Sequence, residues 1–185
     1  ESVAQRIVDV GIRRVAVSLD GATAETHDTF RALPGSFAQA LQGIEHLRAR
    51  GMSVQVNTTV ARHNIDELPQ ILDMALSLGA DALHIFLLVP VGCGMEIADE
   101  QMISPRQYEE VLNWFYDRDQ EGLLELKATC APHYFRIVRQ RTAAEKQQAP
   151  PSQKRQRASD LYAMTKGCLA GTGVCFISHK GEVFP

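Results

Sequence analysis

Apolar positions along the first ninety residues follow two rhythms in turn, one of helical period and one of strand period. Val3, Ile7 and Val8 sit at helical spacing, and Gly11 stops that run. Residues 15–19 are nearly continuously apolar, as in a strand covered on both faces, and end in the Asp20-Gly21 turn. Thr23 is placed to cap a helix, with Thr26 where a capping box would carry an acid. After a break at Pro34-Gly35, Ser36 is expected to cap a helix to Arg50 whose stripe is Phe37, Ala40, Leu41, Ile44 and Leu47. Residues 52–60 then alternate, with Met52, Val54 and Val56 on one side and Gln55, Asn57 and Thr59 on the other. Asn64 is expected to cap a helix to Leu78, with Pro69 tolerated in its first turns. Residues 82–89 form another apolar run before the glycine loop from Pro90 to Gly94.

Strands alternating with crossover helices at a period of about thirty residues imply an α/β fold with a parallel sheet. Ser104 followed by Pro105 opens a further helix to about Asp119, and residues 123–128 supply a fourth strand. Residues 131–142 are expected to be helical, and residues 143–166, rich in Gln, Lys, Arg, Pro and Ser, to connect without a core. The final stretch, Gly167 to Pro185, carries Cys168, Cys175 and a short apolar run on either side of His179-Lys180-Gly181-Glu182, the pattern of a β-hairpin.

Composition narrows this little. The chain has 185 residues, 45% hydrophobic and 22% charged, with a formal charge of −3, which gives no reason to expect nucleic acid or an anionic membrane as partner. No apolar run reaches the ~18 residues of a membrane span. The four cysteines, Cys93, Cys130, Cys168 and Cys175, lack the spacing of a secreted disulfide framework, so a reducing cytoplasm is expected. The absence of an initiator Met and the ending at Pro185 suggest an internal segment of a longer protein.

Candidate chemistry lies at the C-terminal ends of the strands, where loops of a repeating strand–helix fold converge. Those ends carry Ser18, Asp20 and Gly21, then Asn57, Thr58 and Thr59, then Gly92 and Gly94. Asn is depleted in strands, so Asn57 calls for either a local bond or a bound polar ligand. Thiolates held by a hairpin suit a metal or iron–sulfur site, whereas buried free cysteines would act as small hydrophobes. Cys130 follows a strand end and can reach such a site, with His133 and Tyr134 one helical turn on. Cys93 is expected to be a free thiol. His27, His46 and His63 are expected at the surface and His84 as a satisfied core histidine.

Residues 17–21 (VSLDG), 56–60 (VNTTV) and 88–94 (LVPVGCG), with the ending GCLAGTGVC to EVFP, together resemble the radical S-adenosylmethionine superfamily with a SPASM- or twitch-type auxiliary-cluster domain. Residues 129–137 (TCAPHYFRI) with that ending are similar to the decarboxylases of the alternative haem pathway. The resemblance implies a partial (β/α)6 barrel over residues 1–128, a connection over 129–166 and the start of the auxiliary domain over 167–185. It implies S-adenosylmethionine and a 4Fe–4S cluster whose CxxxCxxC ligands lie upstream of Glu1, plus an auxiliary 4Fe–4S cluster. By position, Ser18 and Asn57, with Asp20 nearby, would contact the adenosylmethionine, and Cys130, Cys168 and Cys175 would be auxiliary-cluster ligands. His133, Tyr134 and Arg136 would face an iron-tetrapyrrole or its carboxylates. The implied reaction is a 5′-deoxyadenosyl-radical decarboxylation of propionates to vinyls, with an electron donor such as flavodoxin or ferredoxin.

The chain departs from the family in lacking the CxxxCxxC motif and a fourth auxiliary ligand, and in carrying Cys93 where a basic residue is expected. The chain alone is therefore expected to be inactive. A sister decarboxylase, a peptide-modifying maturase and a zinc-holding module are the competing readings.

Overall fold

The computed structural model describes residues 3–92, 94–148, 175–178 and 180–184. Cys93, Cys168 and His179, with the expectations attached to them, lie outside the described residues. The chain divides into two compact units, Glu1–Tyr134 and Phe135–Pro185.

The first unit is built as the hydrophobic rhythm requires. Helix α1 (Val3–Asp9) leads into β1 (Arg14–Ser18), followed by α2 (Ala24–Arg31), α3 (Ser36–Arg48), β2 (Ser53–Val60), a 3-10 turn (Ile65–Glu67), α4 (Leu68–Ser77), β3 (Ala82–Leu87), α5 (Gly94–Gln101), α6 (Pro105–Glu121) and β4 (Glu125–Thr129). The four strands pair in parallel in the order β1-β2-β3-β4. Each successive strand lies beside its predecessor, the arrangement that helical crossovers favour.

Parity along the strands decides what faces what. Val54, Val56, Thr58 and Val60 of β2, with Leu83, Ile85 and Leu87 of β3 and Leu126 of β4, are buried. Ile44 and Leu47 of α3, Ile71 and Ala75 of α4, and Leu112 and Phe115 of α6 are buried with them. Full burial of each such aliphatic or aromatic side chain contributes about 1.5–3 kcal/mol. The alternate positions make up a second, largely polar face.

Local chemistry corrects several expectations. Ser36 is the first residue of α3, not its cap; Asp28 of α2 does the capping, its Oδ1 accepting from Phe37 N at 2.7 Å and Ser36 Oγ at 2.9 Å, and its Oδ2 from Gly35 N at 2.6 Å. Those bonds hold the Asp28 carboxyl below the usual carboxylate range, chiefly through the Phe37 N–H. Asn64 caps no helix either: a 3-10 turn follows it, and its side chain turns back to the strand ends. Thr23 does cap α2, accepting from Thr26 N at 3.2 Å, and Ser104 with Gln107 closes a capping box on α6. Helix α5 starts at Gly94, the last residue of the expected glycine loop, and was not anticipated.

In the second unit, α7 (Tyr134–Gln148) runs on from the end of the first and extends six residues past the expected Thr142. The hairpin of β5 (Phe176–Ile177) and β6 (Val183–Phe184) is antiparallel, pairing Phe176 with Phe184 and Ile177 with Val183. Among the described residues no helix is long and apolar enough to cross a membrane.

Candidate functional site

The open face of the sheet is assembled by register. Ser18 of β1 pairs with Asn57 of β2, Asn57 with His84 of β3, and His84 with Lys127 of β4, so four polar residues from four strands form one row. One step nearer the N-terminal ends lies the row Ala16, Gln55, Ala82 and Glu125; one step nearer the C-terminal ends lie Thr59, Phe86 and Thr129. All four residues of the central row are half-buried.

Hydrogen bonding on this face is incomplete in a way that suits a ligand. Asn57 Oδ1 accepts from Gln55 Nε2 at 2.6 Å, which answers the need for a local bond and leaves the carboxamide N–H groups as donors. Among the described residues neither those N–H groups nor Ser18 Oγ has a partner. His84 is not the satisfied core histidine expected: its Nε2 is buried without a hydrogen bond, 3.9 Å from Glu125 Oε1. Burial first, then the nearby Lys127 ammonium, pushes the His84 pKa down to about 4. The lower row closes on itself, with Arg14 Nη1 donating to Glu125 Oε2 at 2.9 Å and Arg14 Nε to Ser53 Oγ at 3.1 Å.

Asp20 serves differently from Ser18 and Asn57. Its side chain is fully buried, and its Oδ2 receives Arg31 Nε at 2.5 Å while Arg31 Nη2 closes a fork on the same carboxylate. Asp20 Oδ1 accepts from Thr59 N at 2.7 Å, tying β1 to β2 beyond the last ladder bond. Asp20 N donates to His27 Nδ1 at 2.9 Å, and Asp20 O meets His63 Nε2 at 2.9 Å and Asn64 Nδ2 at 3.0 Å. His27 is therefore buried rather than at the surface, and His63 stacks on Phe30 with ring centroids 3.9 Å apart. Desolvation lowers the pKa of both histidines.

Gly21 admits no side chain, since a Cβ would lie 2.7 Å from His27 N and from Thr26 Cβ. The loop is then pinned by Glu67, which accepts from Ala22 N at 2.7 Å and from Thr26 Oγ1 at 2.6 Å. A short stretch is thus locked at the C-terminal end of β1, beside Ser18.

Cys130 follows β4 directly. It is exposed, and its φ of 56° places a non-glycine residue in the left-handed region, a conformation that costs about 1 kcal/mol or more. Tyr108 Oη donates to Cys130 O at 3.2 Å and its ring lies 4.2 Å from that of His133. Tyr134, by contrast, is 2% exposed and packs edge-on against Phe115, so its ring belongs to the core. In the second unit, Arg136 Nη1 donates to Gln140 Oε1 at 2.9 Å, and Cys175 is an exposed free thiol at the start of the hairpin. Among the described residues no group of three metal-ligating side chains gathers.

The sequence reading missed His84 and Lys127 as members of the site. Strand parity was the signal: His84 lies two residues from Ala82 and Phe86, and Lys127 two from Glu125 and Thr129, so each strand aims one face the way β2 aims Asn57.

No family model matches the chain. It is 49% identical over 183 residues to the AdoMet-dependent heme synthase of Methanosarcina barkeri (strain Fusaro / DSM 804), covering 99% of this chain and 50% of that protein. It is 34% identical over 183 residues to the mycofactocin maturase MftC of Mycobacterium ulcerans (strain Agy99), covering 98% of this chain and 43% of that protein. Against the Fe-coproporphyrin III synthase of the same Methanosarcina strain the identity is 24% over 191 residues, covering 98% of this chain and 45% of that protein. The chain spans about half the length of the curated relatives it matches.

Proposed function

From a chain that belongs to the radical S-adenosylmethionine family of haem synthases, we propose that the protein it comes from makes haem by decarboxylating the propionates of an iron-tetrapyrrole to vinyls. The similarity that carries this reading is the 49% identity to a heme synthase, against 24% to the Fe-coproporphyrin III synthase of the same organism. The four-stranded parallel sheet is read as part of a (β/α)6 barrel, and the hairpin as the start of an auxiliary-cluster domain over residues 167–185.

The open face fits S-adenosylmethionine on its own chemistry. Ser18 Oγ and the Asn57 carboxamide stand side by side with uncommitted donors at the C-terminal part of the sheet, beside the orphaned nitrogen of His84. We assign Ser18 and Asn57 to direct contact with that nucleotide. Asp20 holds the rim on which they sit, through Arg31 and Thr59. When bound and reduced by a 4Fe–4S cluster, S-adenosylmethionine would supply the radical chemistry that starts loss of carbon dioxide from a propionate.

Exposed thiols at Cys130 and Cys175 suit an auxiliary iron–sulfur cluster, with Cys168 as a further ligand. The left-handed backbone at Cys130, fixed by the Tyr108 hydroxyl, supports a role in presenting that thiolate. His133 and Arg136 are assigned to the tetrapyrrole or its carboxylates; Tyr134 acts as a packing residue. Flavodoxin or ferredoxin would supply electrons.

Full-length protein reconstituted anaerobically should be brown and release carbon dioxide from iron-coproporphyrin only with S-adenosylmethionine. A colourless, zinc-loaded protein would overturn the reading. The 34% identity to a mycofactocin maturase favours peptide modification as the second reading, and a brown protein that leaves iron-coproporphyrin untouched would select it.

A further inference from the structure

The polar row of the open face is graded. From β1 to β4 it passes from a hydroxyl through a carboxamide and an imidazole to an ammonium. The first two are donors to neutral or partly charged atoms. The last two form a unit of their own, and the reading above gives them no role.

Lys127 is the only cation of that row. Among the described residues no carboxylate lies within ion-pair distance of it. The nearest acid on the face, Glu125, gives Oε2 to Arg14 at 2.9 Å and keeps Oε1 3.9 Å from His84 Nε2, beyond hydrogen-bond distance. A half-buried ammonium beside an imidazole whose Nε2 is buried carries a desolvation cost, which an anion would relieve. His84 contributes a nitrogen that is buried and unbonded, in a side chain 13% exposed. Burial and the Lys127 charge keep that imidazole neutral, so it can offer an N–H rather than a second charge. One ammonium and one neutral N–H from adjacent strands match the two oxygens of a single carboxylate, whereas a phosphate group calls for more donors.

We propose that His84 and Lys127 form a carboxylate-binding subsite on the open face of the sheet, in line with Ser18 and Asn57. This rests on the functional reading above, under which two ligands bring carboxylates: the amino-acid end of S-adenosylmethionine and the propionates of the tetrapyrrole. The subsite orients whichever carboxylate it takes relative to the Ser18–Asn57 end of the row.

The test uses full-length protein reconstituted anaerobically and read by equilibrium binding rather than turnover. The probes are S-adenosylmethionine, its decarboxylated analogue and iron-coproporphyrin. Lys127→Met, which keeps the length of the stem, should weaken one carboxylate-bearing probe by about tenfold or more, and Lys127→Arg should restore most of it. Loss of adenosylmethionine, with the decarboxylated analogue bound as in wild type, assigns the subsite to the amino-acid carboxylate. Loss confined to iron-coproporphyrin assigns it to a propionate. His84→Gln, which keeps an N–H donor, should lose less than His84→Leu on the same probe. If Lys127→Met and His84→Leu both bind every probe within about twofold of wild type, the subsite is wrong while the functional reading stands. If the wild type itself binds neither adenosylmethionine nor iron-coproporphyrin, the functional reading has failed and the subsite falls with it.

Discussion

The two faces of one sheet obey different rules. Toward the helices, β2 and β3 present Val54, Val56, Val60, Leu83, Ile85 and Leu87, none more than 2% exposed. Toward the other side the same two strands present Gln55, Asn57, Thr59 and His84, each half-buried, with hydrogen-bonding atoms to spare. A strand that alternates this cleanly separates stability from binding by residue parity. Substitutions on the two faces should therefore fail in different assays.

The largest effect is expected where the two tasks meet. Asp20 is fully buried, with both Nε and Nη2 of Arg31 on its Oδ2, so Asp20→Ala leaves Arg31 without its partner and strands one backbone donor, the Thr59 N–H; unfolding in urea should show a loss of about 3–5 kcal/mol. A variant as stable as wild type would mean that the Asp20 hub does not hold the rim. Next, Ile85→Ala on the helix-facing side should cost about 2–5 kcal/mol in the same measurement while binding any ligand normally once folded.

Acid should separate the faces more gently. His27, His63 and His84 all have native pKa values depressed below 6.5 by burial, His84 to about 4. Unfolding lets them take up protons, so their contribution is complete above about pH 6.5 and is lost as pH falls toward 4. Arg14, Glu125 and Lys127 surround His84 and modulate only that part. His84→Gln should flatten the stability–pH slope in that window by up to about one proton's worth, and an unchanged slope would show that His84 is protonated in the folded protein.

Much of this was legible in the chain. The alternation of residues 52–60 names the dry and polar sides of β2 by itself, because a strand's period is 2 whatever its neighbours are. Thr23 and the Ser104–Gln107 box were readable because their bonds are local. Three misreadings share one cause, a partner outside the local stretch. Asp28 caps α3 from the preceding helix, and Asn64 serves strand ends instead of the turn it precedes. His27 was placed at the surface because its partner, the Asp20 amide, is seven residues away and visible only once the loop is folded. The row from Ser18 to Lys127 spans more than a hundred residues of sequence and exists only through register.

The smallest change in stability should accompany the clearest change in binding. Asn57 faces the open side and gives the fold one bond, from the neighbouring Gln55. Measuring the melting temperature and the S-adenosylmethionine dissociation constant together on the full-length Asn57→Ala protein tests the division of labour most directly. The account predicts a melting temperature within about 2 °C of wild type and binding weakened by about tenfold. A clear drop in melting temperature with undiminished affinity would contradict it.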